Sequence, residues 1–146
     1  MAKKPFDGTR PLSEDIIYRN QTRFLEYLET VVKKVYIIQG FPSCKAYGPN
    51  IALKFTEKGK PLNAIKDGLI VRDDFFARRR IWEIGLRCRK CEIVDYKPVL
   101  VDEDGEYLAY DPKTNIMFTD LANHLNNFGK ARIQIIFNRL SKNFMI

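Results

Sequence analysis

The chain has little of what most catalytic and metal-binding signatures require. It holds three cysteines and one histidine in 146 residues. Three thiols cannot all pair within one chain, and so few exclude a disulfide scaffold, so a reducing compartment is expected. With a single histidine, any imidazole mechanism rests on His124 alone. No apolar run approaches the roughly 20 residues that span a bilayer. No glycine-rich phosphate loop, nucleophile elbow or kinase signature is present. The opening Met-Ala-Lys-Lys-Pro-Phe-Asp lacks the apolar stretch of a signal peptide. The expected setting is therefore the cytoplasm or the inside of a virion, with no membrane association.

What is present suits a folded protein. With 45% hydrophobic and 29% charged residues, the chain can bury a core and does not have the composition of a disordered segment. The net charge of +7 is uneven. From Asp102 onward there are five Lys/Arg against six Asp/Glu, so the positive excess lies in the earlier part. Its densest portion holds Arg78, Arg79, Arg80, Arg87, Arg89 and Lys90, with Glu83 the one acid among them.

Read for structure, the sequence predicts an α+β fold with an extended arm at 1–12 and a single domain over 13–146. Pro5, Gly8 and Pro11 keep the arm irregular. Ser13 offers an N-cap for an amphipathic helix from about Glu14 to Thr30, with apolar residues near the helical period. The β-branched stretch from Val31 to Ile38 reads as a helix extension or a strand. Ile51, Leu53 and Phe55 alternate with Ala52, Lys54 and Thr56 as a half-buried strand would. Gly68 to Val71 is a possible strand start. Trp82, Ile84, Leu86 and Cys88 alternate with Glu83, Arg87 and Arg89, predicting a strand with one wet, mostly positive face. A second strand from Ile93 to Val101, an Asp-Gly turn at Asp104-Gly105 and a return strand from Tyr107 to Tyr110 complete a central antiparallel β-meander. A C-terminal helix is expected from Asp120 to Phe128, with Gly129 after its end. The stretch from Lys130 to Asn143 fits a second helix or a closing strand, and its length favours helix.

Four constellations bear on function. Cys88-Arg89-Lys90-Cys91 has zinc-knuckle spacing, and closing a tetrahedron would take Cys44 and His124. Against zinc stand the missing second knuckle and the place of Cys88 on the apolar side of its strand, so no cofactor is the first expectation. The basic residues Arg78, Arg79, Arg80, Arg87, Arg89 and Lys90 could meet DNA or RNA phosphates, or an acidic protein face. The segment from Thr119 to Ile133 resembles a helix-turn-helix, a short helix and glycine turn leading into a helix bearing Lys130 and Arg132. Finally, Asp74 followed by Asp95-Tyr96-Lys97 resembles the loose PD-(D/E)xK layout by which nucleases hold Mg²⁺. Glu26 or Glu29 could add a carboxylate.

An ordered core, an arm and a charged face without a catalytic cluster together predict a non-enzymatic subunit. Its expected role is assembly of a large nucleic-acid-containing particle, virion or ribosome-like, with other protein subunits as partners. A helix-turn-helix regulator and a Mg²⁺-dependent nuclease are the alternatives.

Overall fold

The computed structural model describes residues 8–142. Most of the arm read at 1–12, and Asn143 at the end of the C-terminal stretch, lie outside them. The chain is α+β, with a long helix near each end. It forms two compact units, each built from two stretches of sequence: Met1–Gly40 with Asp74–Asp95, and Phe41–Asp73 with Tyr96–Ile146. Among the described residues no helix is long and apolar enough to cross a membrane.

In the first unit, helix α1 spans Ile16–Val31. Its cap is Asp15 rather than Ser13, because the Asp15 carboxylate reaches the Ile17 and Tyr18 amides at 2.8 and 3.4 Å. The β-branched run beyond α1 becomes strand β1, Val35–Ile38. It pairs in parallel with β4, Cys91–Val94, in the register Val35↔Cys91 to Ile38↔Val94.

The first strand of the expected meander is a helix instead. Helix α3 spans Phe75–Arg87. Alternation at Trp82, Ile84 and Leu86 misleads because Trp82 and Leu86 are exposed while Ile84 is buried. The inward side recurs at helical spacing through Ala77, Ile81 and Ile84. Gly85 lets this helix approach β4, since a Cβ there would stand 2.6 Å from Ile93 Cδ1.

In the second unit, β2 (Ser43–Cys44) pairs antiparallel with β3 (Ile70–Val71), bearing out the strand start read there. The strand expected at 51–56 is part of helix α2, Gly48–Glu57. Pro49 suits the first turn of that helix, and the residues it buries are Gly48 and the small Ala52, not Ile51 or Leu53. The hairpin turn is present: Val101 bridges Tyr107, the Asp102 amide donates to the Glu106 carbonyl, and Gly105 takes φ +80°. It carries isolated bridges rather than long strands.

No helix forms over 120–126. That segment is a closed loop, and the final helix α4 runs Asn127–Ser141, as the length of that stretch suggested. Gly129 sits in its first turn rather than past a helix end. A Cβ there would collide with the Phe118 carbonyl oxygen, so glycine is what lets the helix start against residues 117–119. Without a first helix there is no helix-turn-helix. Leu62, Leu69, Leu100, Tyr107, Leu108, Phe118, Ile133 and Leu140 form the buried core of this unit. Aromatic pairs Phe41–Tyr107 and Tyr96–Phe137 stand 6.4 and 5.9 Å apart within it.

Candidate active site

The sole histidine lies on a loop held from several directions. Thr119 and Leu125 close its base as an antiparallel bridge. The Asp120 amide donates to the His124 carbonyl at 2.9 Å. Asp120 Oδ1 in return accepts the Ala122 and His124 amides, both at 2.9 Å. The turn needs a left-handed residue, which Asn123 supplies at φ 63°, a conformation asparagine tolerates better than most. Asn123 Oδ1 then accepts the Cys44 amide at 2.7 Å, tying the loop to β2. On the far side Asn126 caps α4, accepting the Phe128 and Gly129 amides at 3.0 Å each. Its Nδ2 donates to the Met117 carbonyl at 2.6 Å.

These bonds fix the backbone and leave the imidazole outside. The His124 side chain is 77% exposed, and its Nδ1 stands 3.6 Å from Asp120 Oδ2. That is longer than a formed hydrogen bond, yet it is the pairing by which a carboxylate orients a catalytic imidazole. The His124 amide, aided by the Ala122 amide and the imidazole charge, holds the Asp120 carboxyl below its ordinary value. Asp120 therefore stays ionised at neutral pH.

Two more polar residues stand on β2 and beside β3. Ser43 Oγ donates to Asp73 Oδ2 at 2.7 Å, and its amide to Oδ1 at 2.9 Å. The Cys44 thiol donates to the Leu69 carbonyl at 3.4 Å, and burial pushes its pKa up. A thiol in that condition is a poor nucleophile and a poor metal ligand.

The residues singled out by sequence are placed differently. Cys88 and Cys91 are bonded to each other as a disulfide, which removes two of the four zinc candidates. Among the described residues no three His, Cys, Asp or Glu side chains gather as a metal site requires. Asp95 is held by Arg78 through two bonds, at 3.1 and 2.5 Å, and Arg78 Nη1 also donates to the Gly40 carbonyl. Asp74 lies 4.0 Å from the same guanidinium. Both carboxylates of the nuclease reading thus serve an arginine, while Lys97 belongs to the other unit.

The basic stretch is largely spent inside the first unit. Arg80 pairs with the buried Asp15 at 2.6 Å. Arg87 lies over the Tyr18 ring. Lys90 Nζ donates to the Glu29 and Val32 carbonyls, and Glu29 Oε1 accepts the Arg89 and Lys90 amides. Arg79 lies on the same helix, α3.

Sequence reasoning missed Asp120 and Asn123. The available signal was an Asp four residues before the only His, followed by the turn-forming Asn126 and Asn127. A helix prediction over 120–128 hid it.

No curated protein and no solved structure matches the chain. Residues 3–139 do match a family, the SGNH domain (fused to AT3 domains). Its hydrolase- or esterase-like character overturns the expectation of a structural subunit of a nucleic-acid particle, together with the regulator and nuclease alternatives. With almost its whole length matched, the chain belongs to the SGNH domain family.

Proposed function

We propose that this chain carries the general-base side of an acyl-ester hydrolase or transferase site, with His124 as the base and Asp120 as the residue that orients it. The observation that carries the reading is the Asp120–His124 pair on a loop whose backbone is fixed while its imidazole is open to substrate. The family's esterase-like character supplies the reaction class.

The chemistry follows from the pairing. Ionised Asp120 favours the tautomer with hydrogen on Nδ1, leaving Nε2 with a lone pair toward solvent. Nε2 takes the proton from an attacking hydroxyl as that oxygen bonds to an ester carbonyl. It returns the proton to the leaving alkoxide when the tetrahedral intermediate collapses. The imidazolium formed in between is stabilised by the Asp120 carboxylate.

Hydrolysis of p-nitrophenyl acetate tests the reading. His124→Ala is expected to lower kcat/KM by ~10²-fold or more, the usual contribution of a positioned base. Asp120→Asn preserves the shape but favours the wrong tautomer, and is expected to lower kcat more than it raises KM. A His124→Ala protein that cleaves the ester as fast as wild type overturns the assignment.

A further inference from the structure

The second unit contains an open cavity of about 380 Å³, within the ~300–1,000 Å³ range of small-molecule sites. One wall is helix α2, through Pro49, Ala52 and Leu53; the other includes Ile116, Met117 and Phe128. Two further lining residues, Thr119 and Asn126, stand at either end of the loop that carries His124. We propose that this cavity is an acyl-chain site, which binds the hydrocarbon tail of a medium-chain ester whose carbonyl is presented to His124. The proposal rests on the esterase reading and adds the substrate class to it.

Three observations select this occupant. No lining residue carries a charge, although the protein as a whole has a net charge of +7. A phosphate, a carboxylate or a sugar acid would find no counter-ion there, whereas a hydrocarbon chain needs none. The lining also exposes apolar area that folding alone leaves wet: Leu53 is 58% and Phe128 55% exposed. Covering such side chains is the expected gain from an apolar ligand. Third, polar groups on both walls are already bonded within the protein. Asn126 is bonded at three points around the start of α4. On the opposite wall, Thr56 Oγ1 donates to the Ala52 carbonyl within α2. The polar rim of Thr114 and Asn115 belongs to a turn organised by Asp111, whose Oδ1 accepts the Lys113 and Thr114 amides. A preformed, neutral and mainly apolar pocket that reaches both ends of the His124 loop is suited to a tail and poorly suited to a polar head group.

The experiment pairs binding with turnover. Octanoate is titrated into ¹⁵N-labelled protein, and p-nitrophenyl esters from acetate to octanoate are assayed in parallel. Octanoate is expected to shift the amide resonances of Ala52, Leu53, Met117 and Phe128, in wild type and in His124→Ala alike. Across the esters, kcat/KM is expected to rise about fourfold per methylene until the cavity is filled. Leu53→Asp, at an exposed position that folding does not need, is expected to abolish both the shifts and the chain-length trend. Filling the cavity with Ala52→Phe gives a second check by the same readouts. Ester cleavage with no octanoate shifts and no dependence on chain length overturns the acyl site and leaves the His124 reading intact. Octanoate binding at these residues with no cleavage of any ester sustains the cavity as an aliphatic site but removes the catalytic reading on which its substrate class rests. Shifts confined to other residues overturn the assignment of this cavity.

Discussion

Each unit of the molecule contains an acid paired with a base, and the two pairs are built for opposite ends. In the first unit Asp15 and Arg80 meet at 2.6 Å with side chains only 3% and 12% exposed. In the second, Asp120 and His124 stand 3.6 Å apart and both are open to water. The buried pair has both carboxylate oxygens committed: Asp15 caps α1 with one oxygen and receives Arg80 with the other. The exposed pair commits the backbone and one carboxylate oxygen, leaving the imidazole free to exchange protons. Removing one partner of the first should cost stability. Removing one partner of the second should cost chemistry.

The largest expected effect is at the buried pair. Arg80→Met leaves Asp15 without its charge partner and should destabilise the protein by ~3 kcal/mol, measured by urea denaturation. Equal stability of variant and wild type would remove the distinction drawn between the pairs.

The pH dependence sharpens the same point. Burial alone would raise the Asp15 pKa, but hydrogen bonds from Arg80 and the Ile17 and Tyr18 amides outweigh it, and the carboxyl titrates below its ordinary 3.8. A depressed folded pKa means that the stabilisation is complete above about pH 4 and is lost as pH falls through the folded value. In Arg80→Met, burial without the guanidinium should raise that pKa, so part of the lost stability should return on acidification. A variant whose stability falls with acid as steeply as wild type would contradict this.

Smaller effects are expected around the loop. Gly129→Ala drives a methyl into the Phe118 carbonyl and should cost about 2 kcal/mol. Asn126→Ala removes the cap of α4 and its bond to Met117, and should cost ~1–2 kcal/mol in thermal or urea unfolding. The smallest change in stability belongs to His124→Ala, within ~0.5 kcal/mol because the side chain is exposed. The same substitution has the largest expected effect on ester hydrolysis. A large loss of stability there would make His124 a structural residue.

Legibility in the sequence divided along the same line. The α+β class, the first and last helices and the Asp104-Gly105 turn were readable, because each rests on local chemistry: a helical period or a residue that tolerates positive φ. The errors at 51–56 and 82–88 arose where apolar side chains alternate in sequence although most of them are not buried. Trp82 and Leu53 face water, while Arg78 and Arg80 turn inward to carboxylates. Hydrophobicity alone cannot report an arginine that is neutralised by an aspartate 65 residues away, as Arg80 is by Asp15.

The candidate site was hidden for a related reason. Asp120 and His124 are four apart, a spacing that suits a helix as well as a loop. What decides between them lies elsewhere in the chain: the Cys44 amide that takes Asn123, and the Phe118 carbonyl against which Gly129 packs. The sequence by itself determined the fold class, the two terminal helices and the fact that imidazole chemistry must use His124. Tertiary structure alone decided that six clustered basic residues are mostly spent on internal carboxylates, carbonyls and a ring, and that Asp120 turns toward the imidazole. The physical reason is that charge pairing and loop closure join residues far apart in sequence, and their free energy appears only once the chain has brought them together.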